Sequence, residues 1–260
     1  MKKTRILSIE INSIIKNDPF FYKKEDKKST LLKICKLQIE YQCKNCDLYK
    51  KWYESNKFSD LEKIESLNDL PYLPSSIFKH IDLVSSEEKF KKISSSGTSS
   101  QLKSNIYLDS KTSLNQTSAL SKILSHFLGK KRKDFFIIDF TPEELKKDSG
   151  EMTARFAGMS GYLLAAKKRH YLLKKGKNNS TEICIDTFND LINRSKEGPV
   201  VLIGYTYMIW QLINNSNFKK FNFHLNKDSK VIHFGGWKKL SSEKISKEEL
   251  NKNLSKFFNV

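Results

Sequence analysis

The sequence predicts an α/β protein in which parallel strands follow a helical N-terminal segment. Short apolar runs typical of buried strands, such as Phe135–Phe140, alternate with longer segments that carry one apolar face at helical spacing. Such alternation favours parallel pairing with helices covering the sheet. The 260 residues suffice for one large domain or two small ones. We therefore expect a helical segment over residues 1–85, packed on the same domain, and an α/β region over residues 86–260.

The N-terminal pattern predicts helices over residues 4–58. Apolar residues recur at helical spacing between Leu31 and Ile39, and Ser29 or Thr30 precedes them as a candidate N-cap. Pro71 and Pro74 then bracket a short segment, which we expect to be extended because proline disfavours a helical residue before it.

The remaining elements alternate along the chain. In order, the pattern predicts a strand over Ser104–Asp109, a helix over Ser110–Leu128 stopped by Gly129, a strand over Phe135–Phe140, helices over Thr153–His170 and Thr181–Arg194, a strand over Val200–Gly204, a helix over Tyr205–Asn214 and a strand over Val231–Phe234. A final helix is predicted to start at Ser246, with Glu249 three residues later completing a capping box.

The formal net charge of +18 raises the question of a nucleic-acid or anionic-surface partner. Only five of the 47 basic residues are arginine, the residue whose planar fork suits phosphate and base recognition. The lysines are dispersed along the chain among Asn, Ile and Ser. This distribution favours a solvated lysine-rich surface, so we expect no nucleic-acid partner, with a basic binding surface as the less favoured alternative.

The chain's start and its cysteines indicate a cellular compartment. No continuous apolar stretch follows Met1-Lys2-Lys3, and none elsewhere approaches the ~18 apolar residues of a membrane span. We expect a cytoplasmic protein with reduced thiols and no membrane span.

Cys43-x-x-Cys46 has no second pair to complete a zinc site, so buried thiols are favoured over metal binding and no metal site is assigned.

The sharpest local feature is the run of small residues from Ser94 to Ser100, which Lys103 follows shortly. Small residues let backbone N–H groups approach phosphate oxygens closely, and Lys103 would add a positive charge. A flexible serine-rich turn is the alternative. The spacing of a Walker A loop is absent.

This run resembles the phosphate-binding loop [ST]-S-G-T-[TS]-G-x-P-K of adenylate-forming enzymes, with Ser95 to Ser99 fitting the pattern and Lys103 at the lysine position. Ser100 stands where the family has a second glycine, and Leu102 where it has proline. Further segments resemble the acyl-protein synthetase (LuxE) branch in the same order along the chain; they are Asn45–Tyr49, Leu70–Lys79, Ser104–Asp109, Asn115–Thr117, Gly204–Met208 and His233–Lys239.

The resemblance implies the N-terminal part of an adenylate-forming large domain, with residues 86–260 as its nucleotide- and acyl-binding region. It implies ATP-dependent activation of a carboxylic acid to an acyl-adenylate, and a fatty acid is the favoured class of substrate. Transfer to a protein thiol would follow, with Mg²⁺ as cofactor and a reductase-type protein as acyl acceptor. The implied site residues are Ser95, Ser96, Gly97, Thr98, Ser99 and Lys103 for the phosphates, Gly235, Gly236 and Trp237 for adenine or acyl-adenylate, and Gly204, Tyr205, Thr206 and Met208, with the 155–164 helix, for the acyl pocket.

Some of these residues have a second interpretation. Tyr205, Tyr207 and Trp210 are equally typical of core packing. His233 ends a strand beside Gly235, where a structural role is favoured and a polar contact near the nucleotide is the alternative. The family's later Tyr-Gly-x-Thr-Glu motif, its ribose-binding Asp and its acyl-accepting cysteine are not found before Val260. We therefore expect a truncated chain, and an inactive fragment or binding module is the alternative to an enzyme.

Overall fold

The computed structural model describes residues 2–56, 58, 60–85, 91–94, 102–149, 158–177, 180–215 and 224–260. It divides the chain into two compact units, residues 1–126 and 127–260. This division falls after His126, whereas the two segments expected from the sequence meet after residue 85. None of the helices in the described residues combines the length and the apolarity that crossing a bilayer requires.

The described part of the first unit is mainly helical and carries one hairpin. Its elements are α1 (Lys2–Lys16), α2 (Lys24–Asn45), α3 (Asp47–Ser55), β1 (Lys91–Ser94), β2 (Asn105–Leu108) and most of α4 (Ser110–Leu128), with short 3-10 turns between α3 and β1. β1 and β2 pair antiparallel, and Ser94 lies opposite Asn105 at the end of the hairpin that residues 95–104 connect. The predicted N-terminal helices, β2 and α4 are confirmed. The predicted cap at Ser29 or Thr30 is wrong, because α2 starts at Lys24.

Three of the cysteines belong to an apolar cluster of this unit. Cys46 is buried with Ile39, Tyr49, Ile64 and Leu70, and Cys35 and Cys43 pack against that cluster. Burial raises the pKa of the Cys35 and Cys43 thiols, since an apolar environment disfavours the thiolate. These thiols therefore act as small core side chains.

The second unit is built on a four-stranded parallel sheet in the order β4-β3-β7-β8. Its elements are β3 (Lys133–Ile138), α5 (Pro142–Ser149), β4 (Ala166–Tyr171), β5 (Leu173–Lys175), β6 (Thr181–Ile183), α6 (Ile185–Glu197), β7 (Val201–Tyr205), α7 (Thr206–Asn214), β8 (Lys230–Phe234) and α8 (Lys247–Phe258). β5 and β6 form a separate antiparallel hairpin. The predicted α/β class with parallel pairing is confirmed.

The core of this unit lies around the two central strands. All five residues of β7 are buried, as are Phe135 to Ile138 of β3, so both faces of these strands are covered. This double burial accounts for their nearly continuous apolar sequence. The predicted capping residue of the last helix is also confirmed, because the Ser246 hydroxyl accepts a hydrogen bond from the Glu249 N–H at 3.1 Å.

The helix predicted over Thr153–His170 is wrong in its last part, whereas residues 158–160 are helical. Residues 166–171 form β4, an edge strand that pairs with β3, and a 3-10 turn over Tyr162–Ala165 precedes it. Residues 153–157 lie outside the described residues. The helix predicted over Thr181–Arg194 starts later, because Thr181–Ile183 pairs with β5 and α6 begins at Ile185.

A polar network joins edge strand β4 to α6. His170 stacks on Phe136 with ring centroids 4.6 Å apart, and its Nδ1 lies 3.1 Å from an Asp190 carboxylate oxygen. Arg194 donates to Asp190 at 2.8 and 2.9 Å and to Asp134 at 2.7 Å. Burial lowers the pKa of His170; the charges of Arg194 and Lys168 act in the same direction, and those of Asp190 and Asp134 oppose it.

This arrangement predicts a pH-dependent stability. Because the folded-state pKa of His170 lies below the unfolded value of ~6.5, the unfolded chain binds more protons as the pH falls. The contribution of neutral His170 is complete above about pH 6.5 and is lost below it. His170→Asn keeps an amide donor near Asp190 and cannot titrate. Its free energy of unfolding should therefore fall less than the wild type's between about pH 7.5 and about pH 5.5 in urea titrations.

His80→Asn is the matched control, since His80 is exposed. This variant should show the wild-type pH dependence. Equal pH dependence in the His170→Asn protein and the wild type would contradict the prediction.

Candidate functional site

The candidate site lies where β7 and β8 end. Their register places Tyr205 beside Phe234, the last residues of the two strands. The chain turns into α7 at Thr206 and into the Gly235-Gly236 segment after Phe234. Carboxyl ends of parallel strands are the edge at which open α/β sheets bind ligands. We call this set, Tyr205, Thr206, His233, Phe234 and Gly235, the strand-end site.

The Thr206 hydroxyl connects the two strand ends. Its Oγ1 lies 3.1 Å from Nδ1 of His233 and 3.2 Å from the carbonyl oxygens of both Phe234 and Gly235. Thr206 is 5% exposed. A buried hydroxyl with several partners at hydrogen-bond distance is strongly oriented, so this contact fixes the start of α7 relative to the glycine turn.

The backbone of Gly235 explains why glycine stands there. Its φ of +79° is in the left-handed region, and a Cβ at this position would lie 2.9 Å from Cδ1 of the Tyr205 ring. Gly236 differs, because among the described residues, its chain neighbours aside, no atom lies within 4 Å of the position of its Cβ. Both glycines are exposed, so the turn offers a flat backbone surface to solvent.

Aromatic rings support the turn from one side. Tyr162 stacks on Phe234 with centroids 5.1 Å apart and an interplanar angle of 6°, and Tyr205 meets the same ring edge-on at 4.7 Å. A Cβ at Gly158 would lie 3.5 Å from the Tyr205 hydroxyl. The described part of the predicted 155–164 segment therefore reaches the strand-end site through Tyr162.

Trp237 follows the two glycines directly in the chain. Its ring meets that of Trp210 at 5.4 Å and 70°, and the Trp210 Nε1 donates to a Glu243 carboxylate oxygen at 3.0 Å. Both tryptophans are partly exposed. Trp237 is adjacent to Gly236 in the chain, and its contact with Trp210 makes both rings fluorescent reporters of a change at the turn.

A cavity of about 370 Å³ lies on α7 next to the hairpin β5–β6. Its apolar lining comes from Ile138, Phe140, Leu173, Ile183, Met208 and Leu212. Thr181, Glu182, Tyr207, Gln211 and Asn215 add polar groups. This volume is in the range of small-molecule pockets.

The four predicted acyl-pocket residues differ in their surroundings. Met208 lines the cavity, and Tyr205 and Thr206 belong to the strand-end site. Gly204 is buried in β7, where a Cβ would lie 3.0 Å from Ile138 Cβ and 3.2 Å from Ile209 Cγ1. Glycine at residue 204 therefore permits close packing of α7 on the sheet. The proposed acyl contacts themselves stay a prediction.

The predicted phosphate loop, Ser95 to Ser99, lies outside the described residues. Its stem is described: the Ser94 hydroxyl contacts the Asn105 side chain at 3.0 Å across the end of the β1–β2 hairpin. Lys103 is exposed on the same hairpin connection. Both phosphate-binding assignments stay predictions.

Two contacts of the site were not expected from the sequence. The stacking of Tyr162 on Phe234 joins residues far apart in the chain, and no sequence pattern around either residue predicts it. The hydroxyl of Thr206 was expected to border an acyl pocket, whereas its contacts are with the strand-end backbone and His233. The sequence signal for the Thr206 contacts was the position of a hydroxyl residue directly after the predicted buried strand.

The fold defines an α/β protein in which the parallel strands β7 and β8 end together at one edge of the sheet. A family model described as "Acyl-protein synthetase, LuxE" matches residues 1–260, and the chain belongs to this family. The chain is 26% identical over 260 residues to the long-chain-fatty-acid–luciferin-component ligase of Vibrio harveyi. The match covers 97% of this chain but 65% of that relative, so the chain spans less than two thirds of the relative's length.

The contrast between the two glycines gives a testable prediction. Gly235→Ala should destabilise the protein by about 1–3 kcal/mol, because a side chain is strained at positive φ and meets the buried Tyr205 ring. Gly236→Ala should change the free energy of unfolding by less than about 1 kcal/mol, since its Cβ enters open space. Urea denaturation of both variants measures the difference. Equal stabilities would show that the turn does not need the left-handed conformation.

Proposed function

We propose that this chain activates a long-chain fatty acid, or a similar carboxylic acid, with ATP as the second substrate. The family assignment supports this function. So does the relative's name, which describes a ligase of a long-chain fatty acid and a luciferin component. The structural observation that carries the proposal is the open Gly235-Gly236 turn at the ends of parallel strands β7 and β8, where an adenine ring can approach the backbone.

The proposed reaction is a displacement at phosphorus. A carboxylate oxygen attacks the α-phosphorus of ATP, the bond from that phosphorus to the oxygen bridging the β-phosphate breaks, and pyrophosphate leaves with the electron pair. The product is an acyl-adenylate. A thiolate of an acceptor protein then attacks the acyl carbonyl carbon and AMP leaves, which yields a thioester. Positioning and charge stabilisation suffice for the first step, and no protein nucleophile is required.

Each part of the chain has a proposed task. The loop Ser95–Ser99 and Lys103 bind the phosphates, Gly235, Gly236 and Trp237 bind the adenine of ATP or acyl-adenylate, and the 370 Å³ cavity beside Met208 takes the acyl chain. Among the described residues, no group of three or more His, Cys, Asp or Glu side chains is placed to hold a metal ion. We therefore assign Mg²⁺ to none of them, and no step of the proposal passes through it.

The acyl-chain assignment predicts a chain-length dependence of binding. Burial of each methylene contributes about 0.8 kcal/mol, or about fourfold in affinity, until the cavity is full. Calorimetric titration with non-hydrolysable acyl-sulfamoyl-adenosines of increasing chain length measures this gain. Met208→Gln should reduce the gain per methylene, because it places an amide against the acyl chain.

The same ligand series provides its own reference. An acetyl analogue has no chain to bury, and comparison with it separates the acyl contribution from the nucleotide contribution. An enzyme would be established by two results together. The long analogues bind, and label exchanges between pyrophosphate and ATP only when the fatty acid is present. Binding without exchange would indicate a binding module instead. No binding of any analogue would contradict the proposed function.

A further inference from the structure

The imidazole of His233 is held by one ring nitrogen, and this contact determines which nitrogen carries the proton. Thr206 Oγ1 has a single hydrogen and three neighbours: Nδ1 of His233 and the carbonyl oxygens of Phe234 and Gly235. Carbonyl oxygens only accept hydrogen bonds. If the hydroxyl donated to Nδ1, its lone pairs would face two carbonyl oxygens 3.2 Å away. The hydroxyl therefore donates to the carbonyls.

The protonation of His233 follows from this. With its hydrogen on the carbonyl side, Thr206 Oγ1 can only accept from the imidazole, so Nδ1 of His233 carries the hydrogen. In neutral imidazole the other nitrogen is then an acceptor. In the neutral ring, Nε2 of His233 therefore presents a lone pair.

That lone pair is accessible. No hydrogen bond joins Nε2 of His233 to another described residue, and the atom is not among the buried unpartnered side-chain atoms of that part of the chain. His170 provides the contrast, since its Nε2 is buried without a partner. His233 lies two residues before the exposed Gly235-Gly236 turn, so its acceptor is at the same strand end as the proposed nucleotide surface.

We infer that His233 is a specificity-determining residue whose Nε2 accepts a hydrogen bond from an N–H or O–H donor of the bound nucleoside, and that Thr206 positions it. This inference rests on the proposed function. The donor is the adenine amino group or a ribose hydroxyl, which offer the same chemistry to a lone pair. A group without hydrogen, such as a carboxylate or a carbonyl, is disfavoured at this place because lone pairs then oppose each other.

The test compares nucleotides that lack one donor each. ATP, inosine 5′-triphosphate, 2′-deoxy-ATP and 3′-deoxy-ATP are titrated against the whole 260-residue chain, with tryptophan fluorescence as the readout. The wild type should bind the analogue that lacks the recognised donor on the order of tenfold more weakly than ATP. Inosine triphosphate identifies the amino group, and the deoxy analogues identify a hydroxyl.

Two pairs of variants separate the acceptor from its support. His233→Asn keeps a donor toward Thr206 but lacks an acceptor at the Nε2 position, so it should bind ATP and the donor-lacking analogue equally. His233→Gln restores an acceptor oxygen at that distance and should recover part of the discrimination. Thr206→Val removes the hydroxyl that accepts from Nδ1 of His233, so the hydrogen can move to Nε2 and the discrimination should fall. Thr206→Ser keeps the hydroxyl and should preserve the discrimination. The measured quantity is the ratio of the dissociation constants for the donor-lacking analogue and for ATP. Loss of packing alone does not change this ratio.

The outcomes distinguish this inference from the proposed function. If the wild type binds ATP and His233→Asn discriminates as the wild type does, the role of His233 is overturned and the proposed function stands. The same holds if the wild type binds all four nucleotides equally. If the wild type binds neither ATP nor an acyl-adenylate analogue, both the proposed function and the inference are overturned.

Discussion

The burial of β3 and β7 on both faces is the constraint on which the second unit depends. Phe135, Phe136, Ile137, Val201, Leu202 and Ile203 are each 0% exposed. Strands buried this way pair in parallel beneath covering helices, and parallel pairing brings the carboxyl ends of all strands to one edge. The strand-end site exists because β7 and β8 end together there and because α7 starts immediately after β7. The close approach that Gly204 permits belongs to the same constraint.

The elements that are strongly apolar or well capped were predicted correctly from the sequence. The prediction failed for segments whose conformation depends on pairing with a strand elsewhere in the chain. β3, β7, α4 and α8 each carry a local signal, a continuous apolar run or an N-cap and stop residue, and these predictions are confirmed. β4 carries the sequence AKKRHY, whose lysines suit a helix surface equally well. Its strand conformation comes from pairing with β3, a contact that no local periodicity encodes. The β5–β6 hairpin is likewise fixed by pairing of very short segments.

Within the candidate site, the sequence singled out the two glycines but not the contacts around them. Gly235 and Gly236 were expected as a surface for a flat ring, and the structure adds that only Gly235 needs positive φ while Gly236 leaves the turn open. The role of Thr206 was not predictable, because its three partners lie in another segment of the chain. Motif comparison gives residue types in order, whereas hydrogen-bond geometry across strand ends appears only in the folded chain.

The central claim is that the edge formed by Tyr205, Thr206 and the Gly235-Gly236 turn receives a nucleotide. Photolabelling with 8-azido-ATP, followed by peptide mapping, tests it most directly because the label marks the residues that contact the base. The predicted result is a label within residues 230–243 or 204–208 that excess ATP removes. A label that ATP does not compete, or one confined to other peptides, would contradict it.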